Sequence, residues 1–491
     1  MAFSFIILPS IIIALIGIRV IIDWNKLRKA PGPFLAGFTD LWRAYQQYNG
    51  TMRDRLLDLH AQHGPIVRYG VRCVSISDPE VIKVVYGSRA GFISADSYEV
   101  LRGHQNGKEI RTLLSTRDEK QHGALRRSVA NAFTSAAALD YEKWIDVTIG
   151  DLLESLTKKP KFDLVSMIVW YSMDAAARFS FSEPLGCLAA EGDIGGTIQM
   201  IRNHLEHWTR WASYPWIERL VHRNPILSPT VRSPSSVAVA ATARLKERTS
   251  GAGVSKEGKE VDVAPDLLER FLEARKEYPS LSGPGIIGVL VSTIAAAGDT
   301  TAVTIAATLF YLLKNPEILK KLETELTDAS IHEVPAFAEV SKLPYLNAVI
   351  KESMRVFPVT SFPMERLVPA GGAEIAGMYF PEGTTVGCLP AAIHLNKDIF
   401  GEDVDVFRPE RWLISDREQL RIMEAAHMGF SRGKRNCIGQ NIAMLSMKKV
   451  IPALINKFKL TLVDPEASLK ADYTPNVALL EPIYVKSEIK S

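Results

Sequence analysis

The sequence predicts a mainly α-helical single domain with small β-sheets, standing behind one N-terminal transmembrane helix. Three observations predict it. The stretch Ile286–Leu313 is apolar on every face, as a membrane span or a helix buried through a large domain must be. Strand character is confined to short pieces such as Ile66–Ser77 and Thr384–Cys388, while residues 140–245 read as helices. The chain opens on an uncharged apolar run, Ala2–Ile18, which Val20, Ile21 and Ile22 extend to about the ~20 residues a bilayer core requires.

That first segment has no basic leader and no small-x-small site, which favours a retained anchor over a cleaved signal peptide. Arg19 interrupts it and is expected to snorkel to the interface. Lys26, Arg28 and Lys29 follow, so the bulk of the protein should remain on the cytosolic side. The expected divisions are an anchor over 1–22, a basic hinge over 23–33 stiffened by Pro31-Gly32-Pro33, and one folded body over 34–491. With 491 residues, 47% hydrophobic and 23% charged, that body is ordinary globular material. A net charge of +3 argues against a nucleic-acid-binding surface. Cys73, Cys187, Cys388 and Cys437 lie far apart and in no CxxC pair, so neither a disulfide framework nor a zinc site is indicated.

Along the chain, Tyr69-Gly70 breaks the first β stretch into a small hairpin, and Pro79–Tyr86 reads as a helix. From Asp118, DEKQHGALRRSVANAFT places His122 and Arg126 four apart on one helix face, which by spacing alone suits a solvated basic helix. Trp208, Trp211 and Trp216 are expected to cluster near His204, His207 and Arg210. Lys246–Asp262 reads as a surface connection between helices.

Asp299 decides between the two readings of Ile286–Leu313, because a carboxylate at the centre of a span costs ~2.5 to 3.5 kcal/mol on insertion scales. Ala295, Ala296, Ala297 and Gly298 strip one helix face of bulk, leaving room for a diatomic ligand. Thr300 can bond its hydroxyl back to the main chain and disturb the helix. A buried polar pair that merely stabilises a kink is the alternative for Asp299 and Thr300. Downstream, KESMRVFP places Glu352 and Arg355 three apart on a helix, where an ion pair is usually solvated and worth a few tenths of a kcal/mol.

Phe430–Gly439, FSRGKRNCIG, holds a single cysteine before an apolar helical pattern. Cys437 can then lie at a helix N-terminus, where free N–H groups favour a thiolate. Gly433 and Gly439 allow backbone to approach a flat cofactor, Arg435 supplies a cation for a carboxylate, and Phe430 covers the sulfur. A buried structural cysteine in a glycine-rich turn is the alternative. The residues spell FxxGxRxCxG, and five such positions coincide by chance in roughly one chain in ten thousand of this length. This resembles the cysteine loop of the cytochrome P-450 family.

The resemblance extends over residues 30–485, and it implies a cytochrome P-450 fold with haem b as cofactor and Cys437 as the axial ligand of its iron. It implies that His122, Arg126, Arg366 and Arg435 hold the haem propionates, with Phe430 and Gly439 completing the cofactor site. Ala297-Gly298-Asp299-Thr300-Thr301 is similar to the oxygen-activation segment, with Ala297 where the family usually has glycine. Asp299 and Thr300 would then deliver protons. Glu352, Arg355 and, from FRPERW, Arg411 match a buried ion triad that fixes the cysteine loop. The implied reaction is monooxygenation of a lipophilic small molecule, with NADPH electrons arriving through a cytochrome P-450 reductase, and with cytochrome b5 as a further donor. Arg432, Lys434, Lys448 and Lys449 would form a basic patch for that partner, or only a solvated face. The implied location is the endoplasmic reticulum membrane, single-pass. Stretches such as LLSTRDEKQHGALRRSVANAF resemble fungal members similar to pisatin demethylase, which implies tailoring of a terpenoid, polyketide or alkaloid in secondary metabolism. A haem-thiolate isomerase or dehydratase, and a non-enzymatic haem sensor or carrier, remain as alternatives.

Overall fold

The computed structural model describes residues 14–15, 17–87, 91–105, 108–110, 112–224, 235–250, 265–474 and 476–490. Helices dominate. Those that position the site are α1 (Leu41–Tyr48), α2 (Glu119–Ala130), α3 (Leu164–Phe181), α4 (Thr197–Trp211), α5 (Pro215–His222), α6 (Gly283–Lys314), α7 (Pro344–Val356) and α8 (Gln440–Lys457). The largest sheet takes β1 (Ile66–Gly70), β2 (Cys73–Ile76), β3 (Ile93–Ser94), β4 (Arg366–Leu367) and β5 (Thr385–Cys388) in the order β1-β2-β5-β4-β3. The expected hairpin is β1–β2, antiparallel with its register shifting between Arg68 and Gly70.

Helix α6 runs through the main core and packs most extensively on α3. Ser282 caps its start by accepting from the N–H of Gly285, and it stops at Asn315, because Pro316 offers no N–H to continue it. Among the described residues it is the one helix long and apolar enough to cross a membrane, and its most apolar stretch is 61% buried within the protein. It is therefore a core helix, as Asp299 indicated. Helix α7 begins without a cap of its own. Instead the carboxylate of Glu325 accepts from the N–H groups of Tyr345 and Leu346, at 2.6 and 2.8 Å.

Much of the expected anchor, residues 1–13 and 16, lies outside the described residues. Residues 17–26 are helical, with Ile18, Ile21 and Ile22 exposed. Arg19, expected to snorkel, pairs with Asp23 at 3.1 Å, and Asp23 also accepts from Arg72 at 2.6 Å. The connection expected over 246–262 begins inside the helix Ser236–Thr249, and residues 251–262 lie outside the described residues. The tryptophan cluster is not one unit. Trp208 is buried, its Nε1 donating to Ser97 O at 3.0 Å, and its ring meets Phe362 edge-on. Trp216 is exposed.

Candidate active site

The cysteine loop is fixed at both ends. The N–H of Cys437 donates to Phe430 O at 2.9 Å, and the N–H of Asn436 to Gly433 O at 3.0 Å. Gly433 has φ +74°, and a Cβ there would stand 1.7 Å from Tyr86 O. Its close approach is thus to the backbone of the helix Val81–Tyr86 rather than to a cofactor. At Gly439 a Cβ would meet nothing within 4 Å, which is the open space a flat group could fill. Gly439 is the N-cap of α8, so Cys437 precedes the first helical residue, Gln440, by three positions.

Cys437 is exposed, yet burial is the main cause pushing its thiol pKa up, opposed by a hydrogen bond from Gly439 and the charge of Arg126. A residue both accessible and deep lies on the wall of an internal space. Arg126 also clamps the loop directly, donating to Asn436 O at 3.0 Å and to Asn436 Oδ1 at 2.7 Å.

Around this loop the structure gathers cations. His122 is buried, and its pKa falls to about 4, from burial first and then from Arg435. Arg435 pairs with Glu119 at 2.8 Å and is repelled by Arg366. Arg366 is buried, donates to Glu365 O at 2.8 Å and lies over the rings of Tyr86 and Tyr98. Arg126 and Arg435 thus stand beside a His122 held neutral, Arg366 lies close to Arg435, and Glu119 pairs with Arg435 and Lys434, an arrangement that favours further anionic charge.

Behind the loop stands a fully buried ion triad. Arg355 grips Glu352 with two bonds, Nε to Oε2 at 2.9 Å and Nη2 to Oε1 at 2.8 Å, and Arg411 Nε donates to Oε1 at 2.9 Å. Trp412 Nε1 and the N–H of Arg408 also donate to the carboxylate. Burial alone would raise the pKa of Glu352, but Arg355 and Arg411 hold it below the ordinary value. The solvated pair that spacing alone suggests is thus excluded.

On α6, Thr300 donates to Ala296 O at 2.7 Å, Thr304 to Thr300 O and Thr308 to Thr304 O, a threonine ladder inside one continuous helix. Ala296 and Thr300 are exposed on a helix otherwise largely buried, which marks a second stretch of cavity wall. Asp299 is buried, its Oδ2 has no hydrogen-bond partner, and burial raises its pKa to about 6 against the opposing charge of Arg202. Gly298 does not belong to the accessible face. A Cβ there would sit 2.0 Å from Met173 Sδ, so this glycine admits α3 and not a ligand.

A family model for cytochrome P450 matches residues 33–486. The chain belongs to the cytochrome P450 family. A cytochrome P450 monooxygenase of Aspergillus terreus is 33% identical over 92% of this chain and 94% of its own length. Cytochrome P450 monooxygenase pkfB of Emericella nidulans is 32% identical over 91% and 89%. In Penicillium brevicompactum, cytochrome P450 monooxygenase mpaDE is 31% identical over 91% of this chain and 54% of its own length. This P450 is a haem-thiolate monooxygenase supplied with NADPH electrons by a reductase and acting on a lipophilic substrate. Its donor set fits haem: one thiol that can become a thiolate, a cation cluster able to take two propionates, and open space over Gly439.

Some expectations are corrected in this P450. Lys449 is fully buried between Glu142 and Asp146, Lys434 pairs with Glu119, and Lys448 lies over the ring of Phe337, so the four expected cations do not form one free patch. His394 was missed, because an isolated histidine carries no spacing signal. The N–H of Met428 donates to its Nε2 at 2.9 Å, so Nδ1 carries the proton, which goes to Arg355 O at 3.0 Å. His394 thereby joins the triad to the start of the cysteine loop.

Proposed function

We propose that this P450 oxidises a lipophilic polyketide, terpenoid or alkaloid in fungal secondary metabolism, held at the endoplasmic reticulum membrane by residues 1–22 with its body cytosolic. Cytochrome b5 is proposed as a second donor. In this reading Cys437 is the iron ligand, His122, Arg126, Arg366 and Arg435 hold the propionates, and Asp299 and Thr300 manage protons. Bound haem supplies the iron at which dioxygen is reduced and its O–O bond split, a cleavage that thiolate ligation favours.

The observation that carries the proposal is the Thr300 hydroxyl. Its proton is committed to Ala296 O, so the oxygen presents only lone pairs to the accessible side of α6. Such a group accepts a hydrogen bond and orients a water without giving up its own proton. Asp299, with a pKa of about 6, exists in both protonation states near neutrality and can donate and recover protons. The apolar walls of α6 and the segment Val359–Phe362 would keep bulk water from the reaction.

Membrane association is supported by where apolar side chains are exposed. Phe34 and Leu35, then Leu41, Tyr45 and Tyr48 of α1, and Trp216, Leu220 and Val221 of α5 all face outward. Ser213, between α4 and α5, donates to Gln47 of α1 at 2.6 Å, so these stretches are neighbours.

The test is oxygen and NADPH consumption by the full-length protein with reductase, against a panel of such natural products. Thr300→Ala should keep consuming oxygen while releasing it as hydrogen peroxide, with product yield down at least about tenfold, within the range of acid–base contributions. An unchanged yield would sink the proton-delivery role.

A further inference from the structure

The segment Met364-Glu365-Arg366 is clamped by more contacts than a strand end needs. Glu365 is buried, and its carboxylate takes three donors from three elements: Arg43 Nη2 of α1 at 2.5 Å, the hydroxyl of Tyr69 of β1 at 2.6 Å, and the hydroxyl of Ser97. Arg43 is itself buried, and its Nη1 reaches Cys73 Sγ at 3.0 Å. On the other side, the hydroxyl of Tyr86 donates to Met364 O at 2.8 Å and accepts from the N–H of Cys388, while its ring lies under the Arg366 guanidinium. The carbonyl of Glu365 then accepts from Arg366 Nη1. One end of the Arg366 fork is therefore oriented by a peptide unit that the Glu365 side chain immobilises.

Helix α1 explains why an arginine is available there. Its polarity is inverted: Arg43, Gln46 and Gln47 point inward and are buried, while Leu41, Tyr45 and Tyr48 are each about two-thirds exposed. Such a polar inner face needs partners, and although Arg43 Nε has none, Glu365 gives its Nη2 a charged one.

We propose that Arg43 and Glu365 are positioning residues for the haem: through the Glu365 peptide they fix Arg366 in the orientation that receives a propionate. The inference rests on the propionate reading of Arg366. Both would act through Arg366, so their loss should show as haem escaping from an intact protein.

The experiment is the transfer of haem to apomyoglobin from the full-length, haem-loaded protein in phosphatidylcholine vesicles, well below each variant's melting temperature. Arg366→Gln sets the reference and should transfer haem about tenfold faster than wild type, the scale of one hydrogen bond to a charged group. Arg43→Gln and Glu365→Gln should approach that rate, and Arg43→Lys should restore most of the retention. Leu153→Ala, a core change remote from the cluster, lowers the melting temperature and should leave the transfer rate at the wild-type value. Should the Arg43 or Glu365 variants not fold, the uncharged double change Tyr69→Phe with Ser97→Ala removes two donors and should still speed transfer several-fold. Wild-type rates in the Arg43, Glu365 and donor-deletion variants, with Arg366→Gln fast, would overturn this inference alone. A wild-type rate in Arg366→Gln would overturn the propionate reading and the inference together.

Discussion

The support behind Cys437 and the buried carboxyl of α6 are built on opposite principles. Around Glu352 the carboxylate is ionised, and each of its oxygens has partners: Oε1 takes Arg355, Arg411 and the N–H of Arg408, and Oε2 takes Arg355 and Trp412. Around Asp299 one oxygen is left without a partner and the carboxyl is pushed toward neutrality. A saturated network has one arrangement and holds a loop still. An unsaturated one stores a group ready to exchange a proton, at a cost in stability. The same residue type, a buried carboxylate, serves both ends because its neighbours differ.

The largest effect should come from breaking the saturated side. Glu352→Ala strands two buried guanidinium groups and should cost about 3–5 kcal/mol, read as a lost thermal transition and no red-shifted carbon-monoxide band in the reduced protein. The unsaturated side should respond in the opposite direction. Asp299→Asn removes the need to bury an ionised carboxylate and should stabilise the protein at pH 7 by roughly 2–3 kcal/mol, while hydrogen peroxide release rises.

The two carboxylates also predict opposite pH slopes. Glu352, depressed when folded, contributes stability that is present above its ordinary pKa and lost as pH falls through its folded value. Asp299, raised when folded, contributes a penalty that disappears as pH falls from about 6 toward its ordinary value. Denaturant melts across pH 3.5–7 should therefore show the Asp299→Asn advantage shrinking with acidification. A constant advantage would separate Asp299 from any titration. Smaller effects distinguish the two glycine-like positions of α6. Gly298→Ala should cost about 1–3 kcal/mol through collision with Met173, relieved by Met173→Ala. Ala297→Gly should cost only about 0.5–1 kcal/mol in helix propensity, measured by the same melts.

Much of this was legible in the residues. An all-apolar stretch with one carboxylate identified the core helix, and FxxGxRxCxG identified the loop that α8 follows. Less was legible where a side chain's value depends on what lies opposite. Glu352 and Arg355 have the spacing of a solvated pair, and only the arrival of Arg411, Trp412 and Arg408 from far along the chain makes them a buried centre. Gly298 looked like space for a ligand because the sequence does not show that Met173 fills the groove. Lys448 and Lys449 are adjacent in sequence but lie about 100° apart around α8, so one lies over Phe337 and the other is fully buried between two carboxylates. His394 and Glu365 act through contacts to segments distant in sequence, which no local pattern records.

The inverted polarity of α1 has a practical consequence for handling the molecule. Deleting residues 1–22 would remove the proposed anchor but leave Phe34, Leu35, Leu41, Tyr45, Tyr48 and Trp216 outward. The shortened chain should behave as a peripheral protein that partitions onto liposomes and clusters in plain buffer. Converting Leu41 and Tyr45 to charged residues, and not trimming the leader further, is the change that should yield a freely dispersed monomer.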